Sequence, residues 1–226
     1  GTIEGRGNVF ENINIKFAPS GEDATIVTES NIDTGMIGAL GEGATIRNFG
    51  VESGTIVSES DHMQLSTFGH PLTEKKVLME KVWSGVQISA TGASNEVAGL
   101  VADPNGSALV INGGYFFGSV VGTGNAERTN FTIAGDNTRG CSFYNTIGAP
   151  TNPEAINASM RWTAPELKGL ANNYAVGYSI VYLCDAGKEH AGIDNTNVTT
   201  ASVIEAAYKI NQSSRGVIAF DGSGVK

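Results

Sequence analysis

The histidines and the acids are where chemistry would begin. Three histidines occur in the 226 residues: His62, His70 and His190. His190 stands in "DAGKEHAGID", which gathers Asp185, Glu189, His190 and Asp194. Folded inward, these groups would make a cation site. Their spacing matches neither a zinc motif nor an EF-hand loop, so a solvated polar turn is the better reading. Asp61 and His62 are adjacent, and neighbours on an extended segment point to opposite faces. The chain has no His-Glu-x-x-His run for a zinc protease and no Gly-x-Ser-x-Gly for an activated serine. "GEGATIRNFG" opens a strand and lacks the Lys-Ser/Thr pair of a phosphate loop. This reading names no catalytic residue, no metal ligand and no cofactor.

Recognition by aromatic rings is the second kind of chemistry on offer. Trp83, Trp162, Tyr174 and Tyr178 are candidates to stack on sugar rings from a flat exposed face. Tyr115 falls at an inward slot of the pattern below and reads as core.

Charge narrows the partners. The net charge is −9, with no basic run and no basic-aromatic alternation, which excludes a nucleic-acid groove and disfavours anionic lipid. No apolar stretch reaches the roughly 20 residues a membrane-spanning helix needs, so no membrane insertion is expected. The opening "GTIEGRGNVF" lacks a charged and then apolar leader, so any export signal is expected to lie outside these residues.

The elements that would position a site are short strands. Glycine, at 30 residues, is abundant, and charged residues are only 16%. Interior glycine costs a helix about 1 kcal/mol, whereas tight turns between strands accept it. The string "GMIGALGEGATIRNFGVESGTIV" from Gly35 returns from Gly99 as "GLVADPNGSALVINGGYFFGSVV", an offset of 64 without a gap. Identities fall at Gly35/Gly99, Ala44/Ala108, Asn48/Asn112, Gly50/Gly114 and Gly54/Gly118, and apolar character is kept at pairs such as Ile46/Val110 and Ile56/Val120. Self-similarity at a fixed offset marks a repeat architecture.

A smaller alternating unit lies inside it, ending at Ile15, Val51, Ile88, Tyr115 and Ile133. All but one of the intervals between these ends fall near multiples of a single length. They suggest a turn of about 18 residues in a stack of strands, each turn burying its apolar side chains on the next. Asn12, Asn48, Asn112 and Asn130 share one slot beside the turn, where asparagine tolerates left-handed backbone, and stacked amides there would form a ladder. On that pitch Cys141 and Cys184 lie two turns apart. That is about 9–10 Å, beyond the roughly 7 Å a disulfide spans, so two buried thiols without a bridge are expected.

Gly35-Met36-Ile37-Gly38 followed by Ala44-Thr45-Ile46-Arg47-Asn48-Phe49-Gly50-Val51 resembles the GLUG motif of bacterial surface proteins and of some large IgA-cleaving peptidases. "GTIEGRGNVFENINI" is similar to the segment that precedes the first motif in such proteins, and "CSFYNTIG" to a degenerate later element. The second copy departs at Ala102 and at the turn Asp103-Pro104-Asn105. The resemblance covers residues 1–148. It implies a right-handed parallel β-helix, a cell-surface or extracellular location, adhesion to a host or bacterial surface protein or a glycan, and no catalytic residues.

The expected fold is therefore all-β: one right-handed β-helix over 1–226, with GLUG-like repeats in 1–148 and irregular rungs and a cap in 149–226. Residues 61–82 read as an insertion or long loop with a short strand, and 148–165, with three prolines, as irregular. Thr163-x-x-Glu166 and Ser202-x-x-Glu205 look like capping boxes of two short helices, the second able to cover the end of the stack. Because many β-helices are polysaccharide lyases or glycosidases, Asp103, Asp136, Arg139 and Asp185 form the enzymatic alternative, but nothing in the spacing brings them together.

Overall fold

A computed structural model describes residues 1–18, 32–72, 74–104, 108–123, 130–135, 140–144, 146–148, 150–152, 155, 169–171 and 174–175. These residues are mostly strand, with no α-helix among them. All strand pairs are parallel.

Sheet one holds β1 (Thr2–Phe10), β5 (Ala44–Val51), β9 (Lys76–Ser84), β12 (Ala108–Phe116), β14 (Ser142–Tyr144) and β16 (Gly169–Ala171) in that order, with β15 (Ile147–Gly148) on β12 and β17 (Tyr174–Ala175) on β15. Sheet two runs β2 (Ile13–Phe17), β6 (Gly54–Ser58), β10 (Gln87–Ala90), β13 (Ser119–Gly122). Sheet three runs β3 (Ile32–Thr34), β7 (Met63–Leu65), β11 (Glu96–Val97), and β4 (Ala39–Leu40) pairs with β8 (His70–Pro71). The chain visits sheets one, two and three in turn, then returns to sheet one beside the strand it left.

Through the middle of the stack one such circuit takes 32 residues, the sequence separation of stacked partners such as Gln64 and Glu96, Gly114 and Thr146, or Val120 and Asn152. The same step relates β6 to β10, β7 to β11, β9 to β12, β10 to β13, and β12 to β14. The shorter turn expected from the alternating units is therefore corrected. All three sheets carry the same alternation of apolar and polar residues, so counting from one unit to the next mixed faces of one circuit. Ile15 and Ile88 belong to sheet two, Val51 and Tyr115 to sheet one. The offset between the two similar strings is two circuits.

Register stacks like on like. Ile46, Met79, Ile111 and Phe143 form one column in sheet one, and Ile56, Ile88 and Val120 one in sheet two. Leu65 and Val97 pair in sheet three, and all these side chains join a single buried cluster. Each aliphatic side chain so enclosed contributes about 1.5–3 kcal/mol over an exposed one. Thr67 ties the sheets together across this core: its Oγ1 lies 2.6 Å from Ser84 Oγ and donates to Gly99 O at 2.6 Å. At the first circuit the columns lose their cover, and Ile3 is 38% and Phe10 49% exposed.

Residues 61–82 are not an insertion. They supply β7, β8 and most of β9, in register on both sides. Besides Gly69 (φ 97°), the backbone there turns on non-glycine residues in left-handed conformation, His62 (φ 56°), Glu74 (φ 59°) and, within β9, Lys81 (φ 54°). A single glycine in the span left most of these turns unrecognisable. Elsewhere glycine is required: a Cβ at Gly118 would collide with the Val86 carbonyl of the neighbouring circuit. The expected helices near Thr163 and Ser202 lie outside the described residues, as does Cys184; Cys141 is buried in the core.

Candidate functional site

Side chains that alternate with the core set line the outside of the sheets. On sheet one an outward column runs Glu4, Arg47, Glu80, Asn112. Glu4 Oε1 accepts from Asn48 Nδ2 at 2.9 Å and from the Arg6 N–H at 3.0 Å, and Oε2 meets Arg47 Nε at 2.6 Å. Donation from Asn48 first, then from the Arg6 backbone, and the Arg47 charge hold the Glu4 carboxyl at about 2, against an ordinary 4.5. This exposed cluster fastens β1 to β5.

The next outward column is Gly50, Trp83, Tyr115. A Cβ on Gly50 would fall inside the Trp83 indole, so the missing side chain is what lets the ring lie flat across the strand. A Cβ on neighbouring Gly114 would instead point at Leu100 and Ile111 in the core, which places Tyr115 on the opposite face. The Tyr115 ring stacks on Phe117, centroids 4.9 Å apart. Trp83 and Tyr115 are nonetheless fully buried, and neither Trp83 Nε1 nor the Tyr115 hydroxyl has a hydrogen-bond partner. Burial pushes the Tyr115 phenol up from its ordinary value, so it stays protonated.

Sheet two presents Asn14, Thr55, Gln87 and Ser119 in register, with Thr55 Oγ1 3.3 Å from Asn14 Oδ1, and Lys16 paired with Glu59 at 3.0 Å. On sheet three Gln64 and Glu96, both buried, meet through Gln64 Nε2 and Glu96 Oε2 at 3.1 Å. The outside of the sheets thus carries polar columns spaced by the strand repeat, about 4.8 Å, beside the covered Trp83–Tyr115 pair and the apolar Leu78–Val110 pair.

Trp83 is a correction: it sits in an outward slot but is covered, so it presents no ring to a solvent-borne sugar. Tyr174 shares the register column of Trp83 and Tyr115 through Ile147, and its side chain is outside the described residues, as are Trp162 and Tyr178 altogether. Tyr115 is buried, but on the far side of the sheet from the core and not in the inward slot expected of it.

The asparagine ladder is also corrected. Asn48 (φ 51°) is left-handed, but its register mates between matched flanking pairs are Lys81 (φ 54°) and Gly113 (φ 80°), not Asn112. Asn12 (φ 55°) turns the corner into sheet two opposite Ser53, whose Oγ accepts from the Asn12 N–H at 3.0 Å. Asn130 (φ 66°) precedes Phe131, which bridges to Ala98 after sheet three. Three of the four do serve as left-handed turn residues, at three different corners.

Asp61 is used structurally: its Oδ1 accepts from the Ala93 N–H at 2.6 Å. Among the described residues no three His, Cys, Asp or Glu side chains gather closely enough to hold a metal ion. Asp103 is half-buried, while Asp136, Arg139, Asp185, Glu189, His190 and Asp194 lie outside the described residues. Among the described residues no helix is long and apolar enough to cross a membrane. No protein-family model, curated protein or solved structure matches this chain.

Proposed function

We propose that this chain is a right-handed parallel β-helical domain, exposed on a bacterial cell surface, that acts without catalysis as an adhesin-like or scaffolding element for a host protein or a glycan. The observation that carries the reading is the return of each sheet on itself in parallel register, circuit after circuit, with polar columns outside and one apolar cluster inside. Such a body offers long, flat, repetitive faces. The right-handed sense follows the preference of parallel crossover connections. The resemblance of residues 35–51 to the GLUG motif supplies the bacterial-surface part, and the capping boxes at Thr163 and Ser202 supply the expectation of a C-terminal helical cap.

Burial of Trp83 and Tyr115 shifts the contact chemistry from ring stacking toward hydrogen bonding along the polar columns. The test is a glycan array and a panel of bacterial and host surface proteins probed with the chain, alongside an assay for new reducing ends or unsaturated products from the same polysaccharides. Binding without release of products is expected. Product release would overturn the reading in favour of a lyase or glycosidase.

A further inference from the structure

Sheet two keeps its described outer face open to solvent. On sheet three the outward pair Gln64 and Glu96 is buried, and on sheet one Trp83 and Tyr115 are covered. On sheet two no outward side chain is buried from β2 to β13, and Val121 is 44% exposed. Two columns lie side by side on that face. Thr55, Gln87 and Ser119 form one, which begins a circuit earlier at Asn14; Val57, Ser89 and Val121 form the other. None of these carries a charge, in a chain whose net charge is −9. Lys16 heads the second column and is paired with Glu59 at 3.0 Å. Thr55 and Asn14 bond each other, whereas the Gln87 and Ser119 side chains make no hydrogen bond among the described residues.

The spacings of this face are fixed by the sheet. Strands repeat at about 4.8 Å, and outward neighbours on one strand stand about 7 Å apart. Each side chain of the first column, hydroxyl or amide, can both donate and accept. The second column sets methyl groups at Val57 and Val121 on either side of the small Ser89. A β-1,4-linked pyranose chain is straight, advances close to one strand spacing per sugar, and turns each ring over relative to the last. Like faces therefore recur at every second sugar, as valine recurs here at every second strand. Its equatorial hydroxyls donate and accept, and its C–H faces are apolar. An acidic polysaccharide would meet the repulsion of the chain's net charge.

We propose that the outer face of sheet two is a binding strip for an unbranched, neutral, β-1,4-linked polysaccharide that runs along the stack with one sugar over each strand. The inference rests on the non-catalytic glycan-binding reading above and narrows it to one face and one linkage. Hydroxyl edges meet Thr55, Gln87 and Ser119, and ring faces rest on Val57 and Val121. With no aromatic ring in the strip each sugar contributes little, so binding depends on several consecutive sugars held at once.

The test is titration calorimetry of the full chain with cellohexaose, β-1,4-mannohexaose and chitohexaose, which share the linkage and differ at the second ring carbon. Maltohexaose, whose α-1,4 linkage coils, is the comparison. At least one of the three is expected to bind at least tenfold more tightly than maltohexaose and than its own disaccharide. Ser89→Lys sets a long charged side chain in the middle of the strip and should weaken that binding at least tenfold. Gln87→Ala should weaken it at least threefold, and because Gln87 is exposed its truncation removes no core packing. Glu80→Ala, on the outside of sheet one, should change it less than twofold. Circular dichroism confirms which variants keep the wild-type fold. No binding of the three, or equal binding of maltohexaose, overturns the proposal. So does binding that the folded sheet-two variants retain in full. Capture of a different glycan or of a surface protein would overturn this inference while the reading above stands, and release of products from the oligosaccharides overturns both.

Discussion

Ile111 and Val110 are neighbours in β12 with opposite fates, and truncating each to alanine tests the packing argument directly. Ile111 is fully buried in the column between Met79 and Phe143. Removing three carbons there costs the transfer term plus the cavity left between two stacked side chains, about 2–5 kcal/mol. Val110 is half-buried on the outer face, beside Leu78. Its truncation loses part of one side chain's burial and a little strand preference, about 1 kcal/mol or less. For a chain of this length each kcal/mol moves the melting midpoint by about 2–4 °C. Thermal melts followed by circular dichroism should therefore fall by roughly 4–20 °C for Ile111→Ala and by no more than about 4 °C for Val110→Ala. A loss for Val110→Ala equal to or above that for Ile111→Ala would refute the inside–outside assignment of sheet one and the circuit register with it.

Further outcomes follow from single sites. Gly50→Ala should displace the Trp83 ring and destabilise by about 1–3 kcal/mol, while Gly41→Ala, where a Cβ meets open space, should be nearly neutral in the same denaturant titration. In a Trp162→Phe background the emission of Trp83 should be blue-shifted and resistant to acrylamide, because the indole is fully buried; ready quenching would contradict that. Glu4 has its folded value depressed from 4.5 to about 2, so its contribution is complete above about 4.5 and is lost as pH falls toward 2. Glu4→Gln should flatten that acid-side loss for β1 alone, read as amide exchange of residues 2–10 against pH, and an unchanged profile would show that the Asn48 and Arg47 contacts do not hold the strand.

The stacking of parallel strands was legible because two of its circuits carry similar strings. Gly54/Gly118, Thr55/Ser119 and Ile56/Val120 align in the structure as the gapless alignment pairs them, two circuits apart. Within sheet one the same alignment slips by one: Ile46 stacks through Met79 on Ile111, not Val110. The cause is local. The step from β5 to β9 is one residue longer than the step from β9 to β12, and the corner between β5 and β6 holds one residue more than that between β9 and β10, which restores the register. A gap of one followed by its compensation leaves no trace in a score of identities.

The circuit length was illegible for another reason, since three sheets with the same two-residue period look alike in one dimension. The left-handed turns at Glu74 and Lys81 carried no signal, because Glu and Lys adopt that backbone only rarely. Covering of an outward slot, as at Trp83, depends on residues remote in sequence and has no period to read.

The circuit also sets how such a body stores length. Each full circuit of chain raises the stack by only one strand spacing, about 4.8 Å. Drawn straight, the same segment would reach about 100 Å. A circuit that peels from an end under tension therefore releases some twenty times the height it gives up, and the loss of one leaves the register of the next intact. Held between two anchored points, the chain would behave less as a strut than as a wound reel, yielding slack one circuit at a time.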